Sequence, residues 1–326
     1  MKKRTGIRMI VMFVIMSFCI LALNGAGAAE KYPSRPVSIV VTFAPGGVAS
    51  LTARIWASYL EKYLGGTFVV DNRPGGGGVI GYTYVANAKP DGYTLGNFPD
   101  FIIPILNGSA TYKLDDLQVI AQIALNGCVL AVNAEAPWKT FQEFADYARK
   151  NPGVKWAHQG VGTMIYFRTE NLNRQANLKL IGVPMKGDSE IIPALLGKHV
   201  GIGSLSAALA KAQAQAGKLR ILFSFDPARE FGIDPAVPDF PTLFPNMQDV
   251  DVPIYLIAPK KTPKEITDAL EKALEKMTND PDFIKEIGTK LHQMVRFLPG
   301  KIVMEQKVPK KMAVMKAIMQ ESGSTK

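Results

Sequence analysis

The stretch VTFAPGGVASLTARIWASYL, residues 41–60, decides how this chain is read. An apolar strand ends on Pro45, Gly46 and Gly47, and a helix begins at once. Glycines permit a tight turn. They also leave bare backbone N–H groups at a helix start, where the positive end of the helix dipole can hold an anion. Upstream, VSIVVTF is a near-continuous β-branched run, the pattern of a strand buried on both faces of a parallel sheet. Downstream, Leu51, Ile55, Tyr59 and Leu64 fall roughly along one helical face, and Gly65-Gly66 stops the helix. TFVVDN then reads as a second strand, RPGGGG as a turn, VIGYTYVANA as a helix and KPDGYTLGNF as a turn into a third strand. That order is the start of a doubly wound α/β unit with a mostly parallel sheet.

The pattern resets at Leu117. QVIAQIALNGCVLAVN is one long strand-like stretch, and TFQEFADYARKNP is an amphipathic helix with Thr140 as its N-cap. VKWAHQGVGT is a strand running into a second glycine turn, and further strand–helix alternation to KLRILFSF completes a second α/β unit. DVPIYLIAPK reads as one more strand, followed by two helices split at Asp280-Pro281. In the first of these, Ile266, Leu270, Ala273, Leu274 and Met277 form a core-facing stripe. From there the chain reads as helical to about Gln320, with a frayed end. Two lobes are expected, residues 30–123 with 254–326 and residues 124–253. They would be joined by crossing strands near 119–133 and 250–258.

The first 29 residues stand apart. Lys2, Lys3, Arg4 and Arg8 precede a short apolar run and the small residues of NGAGAAE, the three-part form of a secretory signal peptide. Its removal takes four basic residues and no acids from the net charge of +10, leaving about +6. That charge is spread out, with no arginine-rich helix and no interleaved aromatic stripe, so it points to an anionic ligand and not to nucleic acid. Of the two cysteines only Cys128 would remain, in an apolar run that reads as core. A soluble, monomeric, periplasmic protein is expected.

Little in the chain resembles catalytic machinery. The three histidines, His158, His199 and His292, lack metal-ligand spacing, and there is no GxSxG elbow and no phosphate-binding GxxxxGK[ST]. Gly75-Gly76-Gly77-Gly78 follows the second strand and not the first, so it fails the dinucleotide spacing and reads as a turn packed near a neighbouring loop. Two glycine turns remain, Ala44-Pro45-Gly46-Gly47 and Gly160-Val161-Gly162-Thr163, each opening a helix. If the lobes face each other, both line one cleft at the carboxyl ends of strands. Gly46 and Gly47 would then hold one end of an anionic ligand through backbone N–H groups, and Gly162 and Thr163 the other end. His158 stands beside the second turn as a ligand contact or a strand-end hydrogen bonder. Asp100 reads as a turn aspartate; facing the cleft, it would oppose anions and favour an amine.

Together, YPSRPVSIVVTFAPGG, VVDNRPGGGGVIGYTYVANAKPDGYTL, KWAHQGVGT, VPMKG with ALLGKHV, AGKLRIL, VPDFPTLF and NDPDF resemble the periplasmic solute-binding proteins of tripartite tricarboxylate transporters, the TctC or Bug family. The resemblance runs from about Tyr32 to the C-terminus. It implies two α/β lobes closing on a small carboxylate like a Venus flytrap, without a cofactor. It further implies contacts from Phe43, Ala44, Pro45, Gly46, Gly47 and Ser50, from the facing loop His158, Gln159, Gly160, Gly162 and Thr163, and from Lys186, Gly187 and Ser204. The chain departs from the family pattern at Val48-Ala49-Ser50, where a small residue and an aspartate are common, with Ser50 still able to cap the helix. It departs again at His158-Gln159, which replace small serines, and at Gly201, which replaces an acid. These changes bear on the ligand and not on the fold. The expected function is that of a non-enzymatic receptor that binds a mono- or dicarboxylate and delivers it to a membrane transporter. A sensory receptor and an enzyme acting on an exported anion are the alternatives.

Overall fold

The computed structural model describes residues 32–244 and 251–321. The expected signal peptide and the last residues, 322–326, lie outside the described residues. The chain builds two sheets, each flanked by helices, in a two-lobed α/β architecture. The first sheet has the order β11-β4-β10-β3-β1-β2. Its strands are β1 (Val37–Val41), β2 (Phe68–Asn72), β3 (Thr94–Phe98), β4 (Leu117–Leu125), β10 (Pro253–Pro259) and β11 (Met294–Pro299). The second has the order β7-β6-β8-β5-β9, from β5 (Cys128–Asn133), β6 (Lys155–His158), β7 (Ile181–Pro184), β8 (Ile202–Ser206) and β9 (Leu219–Ser224).

Helix α1 (Val48–Leu64) packs on the first sheet because Ala53, Trp56 and Leu60 recur at helical spacing and are fully buried against Val37, Ile39 and Val41. Burying each large side chain contributes about 1.5–3 kcal/mol. Also in this lobe are α2 (Val79–Ala86), α7 (Lys264–Thr278), α8 (Pro281–Leu291) and α9 (Val308–Glu321). The second sheet carries α3 (Phe141–Lys150), α4 (Met164–Gln175), α5 (Asp188–Leu196) and α6 (Ala207–Gln215). Thr140 caps α3 as its sequence predicts, accepting from Glu143 N–H at 3.2 Å. Asp280 caps α8 at the expected break.

Several expectations are corrected. The sheets are mixed and not mostly parallel: β1 is parallel to β2 and β3, but β10 runs antiparallel to β3 and β4, and β5 antiparallel to β8 and β9. The strands that follow the crossings, β5 and β10, run against the βαβ strands beside them. The long stretch 119–133 is two strands in different sheets, broken at Asn126-Gly127. The C-terminal region is not wholly helical, because β11 adds an edge strand antiparallel to β4. Its signal is masked by half-exposed positions and by the bulge between Val295 and Leu298. Ser50 does not cap α1. The N-cap is Gly47, and Ser50 Oγ donates to Asn72 Oδ1 at 3.2 Å.

Candidate ligand-binding site

The carboxyl ends of β1, β3, β6 and β8 meet between the lobes. The loops that leave them line a cavity of about 40 Å³, room for a few waters. Its wall includes Phe43, Gly47, Asn97, Asp100, Gln159, Gly187, Asp188, Ser206 and Gln293, and also Asn126 and Cys128 from the crossing. The lobes touch directly across it. Ala44 N–H donates to the Lys186 carbonyl at 3.1 Å. Gly77 (φ +63°) presses so close to the Val161 carbonyl that a Cβ would sit 2.1 Å from its oxygen. A positive φ and a backbone contact in the same place admit only glycine, which accounts for the middle of the glycine run.

Each lobe also gives a carboxylate to a helix start of the other. Asp100, just after β3, accepts from Met164 N–H at the start of α4 at 3.0 Å. Asp188, at the start of α5, accepts from Gln159 Nε2 at 2.5 Å and Ser206 N–H at 3.3 Å, and the Val48 N–H at the start of α1 also lowers its pKa. Both helix N-termini expected to receive a ligand anion are therefore already served by the protein's own acids. Burial pushes the Asp100 carboxyl up to about 6 against the opposing pull of Lys311, the Met164 N–H and Arg168. Burial likewise raises Asp188, against its hydrogen bonds to Ser206, Gln159 and Val48.

Four polar atoms on the cavity wall have no hydrogen-bond partner: both side-chain atoms of Asn97, Oδ1 of Asp100 and Oε1 of Gln293. All three residues are at least 96% buried. Buried polar groups are nearly always paired, and leaving one unpaired costs about 1–3 kcal/mol. A concentration of them around one interlobe space marks where a ligand's polar atoms belong.

Of the residues expected in the site, Phe43, Gly47, Gln159 and Gly187 line the cavity. The others have different placements. Pro45, Gly46 and Lys186 are exposed, and Ala44 serves the bridge to Lys186. Gly160 and Gly162 shape the facing turn, and Gly160 abuts Gly77. The Thr163 hydroxyl donates to Gly160 O at 2.9 Å and caps α4 by accepting from Tyr166 N–H. His158 accepts from Gly160 N–H at 3.1 Å and lies among the rings of Trp156 and Tyr166. Burial holds its imidazole down at about 4. Ser204 bonds Trp156 Nε1 and the Thr169 hydroxyl within the lobe.

Asn97, Asn126, Asp188, Ser206 and Gln293 are wall residues that sequence reasoning missed, and Asp100 takes the cleft-facing place that the sequence offers as its second reading. Asn97 and Asp100 had a usable signal: polar residues at the carboxyl end of a central strand. Gln293 had none, since it comes from a distant segment, donating at 2.9 Å to the Oγ1 of Thr52, 241 residues before it. Behind the wall, Arg168 Nη1 lies 3.1 and 3.2 Å from the two oxygens of Asp226, whose Oδ2 also accepts from Cys128 N–H at 2.9 Å.

Residues 52–323 match the family described as tripartite tricarboxylate transporter family receptor. The chain belongs to that family. Among relatives of this TctC/Bug family, a UPF0065 protein from the gbd 5′ region of Cupriavidus necator is 32% identical over 270 residues, 82% of each chain. BugT of Bordetella pertussis is 30% identical over 240 residues, 71% of each chain. Among solved structures, the periplasmic binding protein BugD superposes with a TM-score of 0.83 at 27% identity, covering 90% of this chain and 99% of its own. MatC from Rhodopseudomonas palustris, solved with bound malate, gives 0.74 at 26% identity, covering 89% and 97%. The protein is a solute-binding protein of the TctC/Bug type, and this family and fold are those of binding proteins, not enzymes. Among the described residues no helix is long and apolar enough to cross a membrane, and no group of His, Cys, Asp and Glu is placed to hold a metal.

Proposed function

We propose that this protein is an exported periplasmic receptor that captures a small organic acid between its lobes and delivers it to a tripartite tricarboxylate-type membrane transporter. The reading rests above all on the interlobe cavity with unpaired, buried Asn97, Asp100 and Gln293 atoms. The malate bound by MatC supports an acid as ligand. The expected lobe boundaries at 123/124 and 253/254 move slightly: the first lobe holds β4 to Leu125 and β10 from Pro253, and the second lies between the crossings at Asn126-Gly127 and Val252. The hinge lies at the paired crossings, where Asn126 N–H donates to the Val252 carbonyl at 2.8 Å. Ligand favours closure because only the closed form brings both walls to it.

The test is thermal unfolding of the chain from Glu30 onward, refolded to strip carried-over solute, against organic acids, amino acids, amides, sugars and phosphates. A ligand at about 100 times its Kd adds roughly 2.7 kcal/mol and raises the midpoint by a few degrees. Silence across the whole panel, with no solute retained by protein purified under native conditions, would overturn the receptor reading.

A further inference from the structure

The polarity of the cavity wall narrows the ligand. No Lys, Arg or His is among the residues that line it, while Asp100 and Asp188 both do. A dicarboxylate receptor needs cations or several free N–H donors facing the ligand at both ends. Here the unpaired side-chain atoms of the wall run the other way. Asn97 Oδ1, Asp100 Oδ1 and Gln293 Oε1 are acceptors, and Asn97 Nδ2 is the one unpaired side-chain donor among them. The cations nearest in effect to Asp100 are engaged elsewhere: Lys311 Nζ donates to the Asp251 carbonyl at 2.8 Å, and Arg168 pairs with Asp226. At the opposite end Asp188 is met by Gln159, Ser206 and the start of α1, which leaves that helix less able to take a second anion.

We infer that the ligand carries a nitrogen hydrogen-bond donor, an ammonium or a carboxamide, seated against Asp100, Asn97 and Gln293, and no more than one carboxylate. This rests on the receptor reading above and adds to it the chemistry of one end of the ligand. An ammonium offers three donors to three acceptor oxygens and neutralises the buried carboxylate. A carboxylate in the same place would leave the acceptors unpaired and set two anions together.

Three probes of similar length and different terminus test it by titration calorimetry: succinate, succinamate and 4-aminobutanoate. At least one nitrogen-bearing probe is expected to bind tenfold or more tightly than succinate. Asp100→Asn keeps an acceptor for the Met164 N–H but can turn a donor toward the cavity. It is expected to shift the preference toward succinate by tenfold or more. Asn97→Asp, a near-isosteric change that adds an acceptor, is expected to shift it the other way and serves should Asp100→Asn fail to fold. Succinate binding as tightly as the nitrogen probes, or a preference unmoved by either variant, overturns the inference while the receptor reading stands. Silence from all three probes also overturns it, and the receptor reading falls only if the wider solute panel is silent as well.

Discussion

His158 and Asp100 are both buried and titrate in opposite senses. The folded-state pKa of His158 is depressed to about 4 by burial, so its contribution to stability is fully present above about 6.5 and is lost as pH falls to about 4. At about 1.36 kcal/mol per unit, the loss amounts to about 3 kcal/mol. The folded-state pKa of Asp100 is raised to about 6, so its contribution is present at acid pH and is lost as pH rises through 6. Between about pH 6 and 4 the two offset each other. Denaturant midpoints measured across that range are expected to fall more steeply with acid in Asp100→Asn than in the unmodified chain, and less steeply in His158→Gln. Parallel curves in all three would mean that neither group is buried as described.

Among the elements, the start of β5 depends on a side chain just beyond the end of its neighbour β9. Asp226 accepts the Cys128 N–H and faces the buried Arg168 guanidinium, whose Nη2 also donates to Phe225 O at 2.6 Å. Replacing one partner of such a pair leaves the other charge in a low-dielectric site, at about 3–5 kcal/mol. Asp226→Ala is expected to lower the unfolding free energy by that amount, measured by urea denaturation. The elements themselves were largely legible: β1 from its β-branched run, α1 from its glycine start and apolar spacing, α3 from Thr140, and the break at Asp280-Pro281 from proline. Strand direction was not legible, because a buried strand has the same apolar run whichever way it lies. For the site, the glycine turns identified the right loops, and Phe43, Gly47, Gln159 and Gly187 line the cavity. The turns gave no warning that Asp100 and Asp188 would reach across to the helix starts. That pairing joins residues on different lobes and exists only after the lobes meet.

At the scale of the whole molecule, closure depends on how near two backbones can come. Gly77 lies against Val161, and Gly160 against Gly77. A Cβ at Gly77 cannot be accommodated without moving the lobes apart, and φ +63° adds strain for any other residue. Gly77→Ala is expected to bind its ligand at least tenfold more weakly. It is also expected to keep a larger radius of gyration by small-angle scattering at saturating ligand than the unmodified protein. An unchanged radius and affinity would place closure elsewhere.

The crossed carboxylates have a consequence for unloading. Parting the lobes strips Met164 of Asp100 and removes Asp188 from the start of α1, so two anions and two electropositive backbone ends are exposed together. A membrane partner whose own basic groups meet those anions, and whose acidic groups meet those helix starts, could open the receptor by trading contacts one for one. Cargo release would then be a swap of partners on a surface the lobes had kept for each other.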